Sequence, residues 1–276
     1  MAIRKATRTK DHERVRAVLS RDPIATAYML GDLAPAYADF CAWYLSSPNG
    51  EPADADTVLL VYTGLSAPVV LSYGAVDGVS DIFDTFIAEL PERAHVHLDP
   101  EHLVTIDKVF ALERVRPMVR MGLRARDFDA TLQHPYADRV EELSHRNTGE
   151  IIELYQHYPD SFFEPFQLTS GHYFGIRVKE RLVAVAGVHI VSEVDRLAAL
   201  GNIVTHPEHR GQGLSTACTA HLAQRLLGEG IDVLALNVVR ANASAVRVYE
   251  KLGFRENNTY LEGFLTRPLN YRTPRT

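Results

Sequence analysis

The sequence predicts a mixed α/β protein made of two domains, each with strands and helices interleaved around a mixed sheet, and three observations carry that reading. Apolar residues recur at helical spacing in some segments and in short β-branched runs in others, and the two kinds alternate along the chain. The order helix, hairpin, strand, helix, strand, helix, strand occurs over residues 1–125 and again over 126–276, with the polar, aperiodic segment "ARDFDATLQHPYADRV" (125–140) between them. The length of 276 residues, with 46% hydrophobic and 23% charged residues, suits two globular domains with real cores.

In the first half, "DHERVRAVLSRD" and "PIATAYMLGDLA" have helical spacing, with Pro23 suited to a first turn. The β-rich runs "TVLLVYTG" and "PVVLSYGA" are joined through residues 64–67 as a hairpin. A helix "DIFDTFIAEL", a strand "AHVHL", a helix "PEHLVTIDKVFAL" and a strand "RVRPMVRMGLR" follow. The second half opens with helical "DRVEELSHRNTGEIIELYQHYP", which Gly149 weakens, and a loop "DSFFEPFQLTSG". Strands "HYFGIRV" and "RLVAVAGVHIV" form a second hairpin through "KE", followed by a strand "RLAALGNIVT". A helix "LSTACTAHLAQRLLGEG", a strand "DVLALNVV", a helix "NASAVRVYEKLG" and a strand around "TYLEGFLT" complete the order. The parallel suggests a duplication, and "VHLDPEHL" (96–103) echoes "IVTHPEHR" (203–210), although the first copy lacks the arginine and both glycines that follow.

Composition excludes several functions. Acidic residues (35) outnumber basic ones (29), and no basic block occurs, so a nucleic-acid partner is not expected. The N-terminus lacks the apolar core of a signal peptide, and the longest apolar run, near "LVAVAGVHIV", is half a membrane span, so no membrane partner and a cytoplasmic location are expected. Cys41 and Cys218 lie in different halves, and the histidines show no HExxH spacing, which predicts neither a disulfide framework nor a metal site.

The segment "NIVTHPEHRGQGLSTA" (202–217) carries the chemistry. A phosphate needs several N–H donors converging from one short segment, and a helix N-terminus supplies them with a favourable dipole. Gly211 and Gly213 allow a tight turn and close approach, Arg210 adds charge, and helical spacing begins at Leu214, Cys218, Leu222 and Leu226. A plain βα turn meets the same description. Walker A is excluded because no Lys follows either glycine, and a dinucleotide fingerprint because Thr216 replaces the third glycine and Asp232 precedes its strand. Further on, Asn242 reads as a helix N-cap, Tyr249 lies seven residues later on the same face, and Gly253 ends the helix.

Together, "T-H-P-E-H-R-G-Q-G-L-S" and "N-A-S-A-V-R-V-Y-E-K-L-G-F" resemble the GCN5-related N-acetyltransferase (GNAT) superfamily over residues 196–256, and more loosely back to 138. Within it, "GNIVTHPEHRGQGLS" looks most like the glycine N-acyltransferase-like branch, whose members carry a degenerate N-terminal copy of the fold. The resemblance implies tandem GNAT-like domains, 1–125 degenerate and 126–276 catalytic, each a mostly antiparallel sheet with a central parallel pair flanked by helices.

It also implies a co-substrate, acetyl-CoA or another acyl-CoA, and no metal. The pyrophosphate falls to Arg210, Gly211, Gln212, Gly213, Leu214, Ser215 and Thr216, and the pantetheine to the backbone of Ile203, Val204 and Thr205 and to Asn242. Tyr249 becomes the general acid at the thioester sulfur, and the acceptor a small-molecule or protein amine. Ser215 stands where relatives usually have Gly or Ala, and Asn237 where some have a Glu base, which an amide cannot replace. His189 is the first alternative base, Glu164 and His172 weaker ones, each also readable as structural. Phe162, Phe163 and Phe166 either wall the acceptor pocket or tuck the loop onto the core, and Cys218, on an apolar helix face, reads as packing. Tyr136 and "AYMLGDL" (27–33) are distinctive without an assigned role. Two rivals stay open: a non-catalytic acyl-CoA sensor, and a binding role for the first half.

Overall fold

The computed structural model describes residues 4–129, 131, 134–159, 161 and 163–267. In chain order the elements are β1 (Lys5–Thr9), α1 (His12–Leu19), α2 (Ala27–Gly31), β2 (Cys41–Ser47), β3 (Thr57–Tyr62), β4 (Val69–Tyr73), α3 (Val76–Phe86), β5 (Arg93–Leu98), α4 (Leu103–Ile106) and β6 (Ala111–Arg124). There follow β7 (Glu141–Glu142), α5 (Thr148–Tyr155), β8 (Phe174–Val178), β9 (Arg181–Ser192), β10 (Leu197–Thr205), α6 (Leu214–Gly228), β11 (Val233–Val239), α7 (Ala243–Lys251) and β12 (Arg255–Thr266). Short 3-10 turns join several of them.

The chain packs as two units that are not contiguous in sequence: residues up to 119 with 239–241 and those from 258, and residues 120–238 with 242–257. In the first unit the strand order is β1-β2-β3-β4-β5-β12. All neighbours are antiparallel except β4 and β5, which run parallel with Leu71 opposite His97. α3 makes the crossover between that pair and buries Val79, Ile82 and Phe83, an i, i+3, i+4 stripe, into a core with Tyr44, Leu59, Val96, Leu98 and Phe110.

In the second unit the order is β6-β11-β10-β9-β8-β7, with β7 to β10 antiparallel and β10 parallel to β11. α6 makes the equivalent crossover and buries Leu214, Cys218, Leu222 and Leu226, the spacing expected from sequence. β9 is buried on both faces from Leu182 to Val188, which is why it reads as a continuous apolar run. Each unit is a mostly antiparallel sheet with one parallel pair flanked by helices; the first ends on the part of β12 from residue 258, and the second on the part of β6 from residue 120.

Both expected hairpins are present, β3–β4 and β8–β9, and the "KE" turn puts Lys179 and Glu180 at φ 48° and 65°, as a two-residue hairpin turn of the right twist requires. Three readings are corrected. The strands β1 and β2 were not expected: "KATRT" is polar, and "CAWYLSS" shows no alternation because its inner residues are buried on both faces. The helix over 138–159 is cut to α5, because Ser144 and Asn147 form a reciprocal capping box that starts a new turn after β7. The helix over 100–112 shrinks to the 3-10 turn Pro100–His102 and the four residues of α4.

The echo between 96–103 and 203–210 is also corrected. Pro100–His102 follows β5, the second strand of its parallel pair, whereas Pro207–His209 follows β10, the first of its pair. The likeness is one of local capping: Asp99 and His206 each accept from the backbone N–H two residues on. By topology the counterpart of the glycine loop is the Gly74–Ala75 connection from β4 to α3.

Candidate functional site

The parallel pair β10/β11 opens the site. Leu197 to Leu200 pair with Val233 to Leu236, and the register ends there, although β10 continues to Thr205 and β11 to Val239. On its other edge β10 stays paired with β9 through Val204 and Thr205. Two irregularities in that pairing sharpen the divergence: His189 is an extra residue on β9 between the partners of Ala199 and Leu200, and Asn202, at φ 53°, belongs to an extra step on β10. Backbone groups of residues 201–205 that face β11 therefore lack a strand partner, and an extended amide-bearing ligand satisfies such groups.

At the end of β10 the loop turns into α6. Gly211 and Gly213 have φ of 74° and 82°, which L side chains rarely adopt, and a Cβ on Gly211 would meet nothing within 4 Å, so the loop is open on that side. α6 has no side-chain cap, and its first main-chain bond is Ala217 N–H to Gly213 O. Among the described residues no protein group accepts from the N–H groups of Gly211 through Thr216. Such a run of donors at the start of a 15-residue helix fits a pyrophosphate. Arg210 is exposed, its guanidinium over the Tyr158 ring at 5.4 Å and donating to the Tyr158 oxygen at 3.0 Å, while the Tyr158 hydroxyl donates to Thr205 O.

The first unit's counterpart is built differently. Ala75 N–H donates to Thr57 Oγ1, the buried His102 bonds Ser72 Oγ and Gly74 O, and Asp77 lies in the first turn of α3 with Arg4 bridging it to Asp56. Thr57 takes the Ala75 N–H of that turn, and the carboxylates of Asp56 and Asp77 beside it outnumber the one arginine and disfavour an anion.

On α7, Asn242 is the N-cap: its Oδ1 accepts from Ala245 N–H at 3.2 Å and from Ser244 Oγ at 2.8 Å. Tyr249 is buried beside Phe254, ring centroids 6.1 Å apart. Asn237 on β11 accepts through Oδ1 from Nε of the buried Arg120 at 2.9 Å, which commits its amide oxygen to a cation. Burial pushes the Cys218 thiol up to about 12, consistent with packing.

His189 and Glu164 meet around Gln167, a residue the sequence reading passed over. Glu164 N–H donates to Gln167 Oε1 at 3.1 Å, and the Glu164 backbone oxygen accepts from Gln167 N–H at 2.9 Å in return. Asn202 Nδ2 also donates to that oxygen, at 2.8 Å, and to the Tyr173 oxygen at 2.6 Å. Two donors on Oε1 leave Nε2 of Gln167 facing His189 Nδ1, 3.1 Å away. Nδ1 is thereby the acceptor, and the neutral imidazole carries its proton on Nε2. Tyr155 donates to Asn202 Oδ1 at 2.7 Å and Tyr173 to Val188 O at 3.0 Å, so the buried network is tied to both strands at their irregularities.

Of the other candidates, His172 is taken by Glu229 at 2.7 Å. Phe163 packs on Tyr155 and Tyr173, each at 5.9 Å, Phe166 is exposed, and Phe162 lies outside the described residues. Tyr136 sits beside His134, whose ring edge lies over Gly213, and desolvation lowers the His134 pKa. His134, Gln167, Asn202 and Tyr158 were missed because isolated polar residues in loops and strands carry no periodic signal. Among the described residues no group of three or more His, Cys, Asp or Glu is placed to hold a metal ion, and no helix is long and apolar enough to cross a membrane.

Comparison with known proteins agrees with this geometry. Residues 137–254 match the acetyltransferase (GNAT) family. Over 59 residues, 21% of this chain and 40% of the relative, the sequence is 42% identical to the [ribosomal protein bS18]-alanine N-acetyltransferase of Escherichia coli, so the chain spans about two fifths of the length of that curated relative. The fold is similar to that of a GCN5-related N-acetyltransferase from Sphaerobacter thermophilus, with TM-score 0.61, 14% identity and 98% of both chains covered. It is also similar to a tandem GNAT protein from the clavulanic acid biosynthesis pathway, with TM-score 0.58, 14% identity, and 95% of this chain and 98% of the other covered. With that match, a parallel pair that parts at Leu200 and a glycine turn that opens α6, the chain carries, in residues 137–254, a domain of the acetyltransferase (GNAT) family.

Proposed function

We propose that the chain is an acyl-CoA-dependent N-acyltransferase that moves an acetyl group from acetyl-CoA to a primary amine. The carrying observation is the run of unaccepted N–H groups from Gly211 through Thr216 directly beyond the point where β10 and β11 part. Arg210 through Thr216 would hold the pyrophosphate, and the backbone of Ile203, Val204 and Thr205, with Asn242, the pantetheine. The amine nitrogen attacks the thioester carbonyl carbon, the C–S bond breaks, and the phenol of Tyr249 gives its proton to the departing thiolate. His189 is the first proposed base, held through Nδ1 on Gln167 at 3.1 Å. To serve as a base it must first give up Gln167. Glu164, on the same residue, is the second proposed titratable group, and the proton the amine sheds goes to it or to water.

We further propose that residues 126–276 are the catalytic domain and 1–125 a degenerate GNAT-like copy, and that the chain belongs to the glycine N-acyltransferase-like branch. The acids beside the start of α3, and the absence of the second half's Arg and Gly-x-Gly there, support the loss of CoA binding in the first copy. A cytoplasmic location fits an acyl-CoA substrate. The test is thiol release from acetyl-CoA with a panel of amines, beside calorimetric binding of CoA. Wild type should release CoA, and Tyr249→Phe should lower kcat by about 10²-fold or more with CoA affinity unchanged. CoA binding without thiol release for every amine points to a sensor instead, and absence of CoA binding overturns the site.

A further inference from the structure

Asn202 carries most of the buried network of the second unit, and it sits where β10 leaves regular strand geometry. Gly201 pairs with Gly187 and Val204 with Val185, so Asn202 and Ile203 together face Ala186 on β9. The φ of 53° at Asn202 is left-handed, a region in which asparagine is among the least disfavoured residues after glycine. Such a conformation persists where surrounding bonds hold it. Beyond the bulge, His206 N–H donates to Val183 O on β9 at 2.7 Å. Successive residues of a strand present their backbone groups to opposite edges, so Thr205, and Ile203 two before it, face away from β9. Thr205 O accordingly accepts from the Tyr158 hydroxyl and not from β9. Without the extra residue the alternation would reverse, and those same groups would turn onto β9.

The Asn202 side chain is buried, and its polarity is fixed from two ends. Val188 O can only accept, so the Tyr173 hydroxyl donates to it at 3.0 Å and receives Asn202 Nδ2 at 2.6 Å. Glu164 N–H can only donate, so the Gln167 oxygen lies toward it at 3.1 Å and receives the other Nδ2 hydrogen at 2.8 Å. Oδ1 accepts from the Tyr155 hydroxyl at 2.7 Å. Burial raises both phenols above their usual range, so each keeps the proton it donates. With its oxygen committed, Gln167 turns Nε2 to His189 Nδ1 at 3.1 Å. His189 is the extra residue on β9, and its ring covers Gly201, where a Cβ would come within 1.9 Å of it. One amide thus ties the irregularity of β10 to that of β9.

We propose that Asn202 is a positioning residue of the acyl-transfer site: its amide holds β10 in the left-handed turn that aims Ile203 and Thr205 at the open edge, and through Gln167 it fixes the ring of His189. The proposal rests on the acyltransferase reading, in which that edge takes the pantetheine and His189 takes part in turnover. Asn202 itself touches neither substrate.

Three variants of the full chain are compared with wild type for CoA affinity by calorimetry and for acetyl transfer to the best amine of the panel. Proton–nitrogen correlation NMR adds the His189 ring and the Ile203 and Thr205 amides, which need no substrate. Wild type should show the His189 proton on Nε2. Asn202→Ala loses the amide and disfavours the turn, so CoA binding should weaken about ten-fold or more and kcat should also fall, with the His189 signals averaged over both tautomers and the two amides shifted. Asn202→Gly adopts the turn freely but lacks the amide, so CoA affinity and the two amide signals should return to near wild type, within about three-fold for affinity, while kcat stays low and His189 stays averaged. General damage to the fold would not separate the two effects. Gln167→Glu keeps the size and sets an acceptor opposite Nδ1, so above neutral pH the His189 proton should move to Nδ1. That shift tests the hold on His189 even where the alanine variant fails to fold. CoA affinity equal in Asn202→Ala and wild type, or no better in Asn202→Gly than in Asn202→Ala, overturns the hold on β10. A His189 spectrum unchanged in Asn202→Gly or Gln167→Glu overturns the hold on His189. Wild type that binds no CoA overturns the acyltransferase reading instead, and the ring and amide signals still decide both holds.

Discussion

Replacing Asp32 by Asn removes an ionisable group from a site that stabilises only its neutral form, and the consequence for folding can be worked out. The carboxyl titrates at 3.8 when unperturbed and near 8 in the folded chain, so the folded state holds the proton more tightly. Between those values the unfolded chain is ionised and the folded chain is not, and stability falls as pH rises. Each pH unit is worth 1.36 kcal/mol, so by pH 7 the penalty reaches about 4 kcal/mol as an upper limit, and about half that once partial solvent access is allowed for. Asn has the same shape and no such penalty. Asp32→Asn should therefore match wild type near pH 4 and exceed it by about 2–4 kcal/mol at pH 7, with the gap constant above pH 8. Trp43 lies in the first unit, so urea unfolding followed by its fluorescence at pH 5, 7 and 9 reads the relevant transition even if the units unfold separately. Parallel pH profiles for the two proteins, or a variant less stable than wild type at pH 7, would refute the reasoning.

Gly213→Ala must hold a side chain at φ 82° with its Cβ 3.3 Å from the His134 ring, which costs about 1–2 kcal/mol locally. CoA affinity should fall about ten-fold or more while the fold survives, and unchanged calorimetric affinity would remove this loop from the site. Gly201→Ala would place its Cβ 1.9 Å from the His189 ring, so the imidazole must swing away from Gln167. Acetyl transfer should drop well beyond any loss of CoA affinity, and equal kcat in variant and wild type would show that the His189 position is irrelevant to turnover.

Much of the second unit was legible before the structure. The apolar stripe of α6, the cap at Asn242 and the β8–β9 hairpin each depend on residues close in sequence, so spacing alone reveals them. Long-range partners were not legible. Nothing local in "EPFQLTS" marks Gln167 as the residue that joins Glu164, Asn202 and His189, because those contacts span up to 35 positions. The first half was read less well, since β1 is polar, β2 lacks alternation, and the Pro100–His102 likeness reflects a shared cap in non-equivalent places.

By itself the sequence determined the alternation of strands and helices, the glycine turn before an amphipathic helix, and the resemblance carried by residues 202–217 and 242–254. These are short-range properties, set by side-chain period, by φ preference and by capping. Only the tertiary structure decided where β10 parts from β11, which ring nitrogen of His189 faces Gln167, that β12 lies beside β5, and that the Asp32 carboxylate has no partner among the described residues. Each of these depends on which distant groups are brought within hydrogen-bond distance, a matter fixed by packing and strand register and written in no single stretch of the chain.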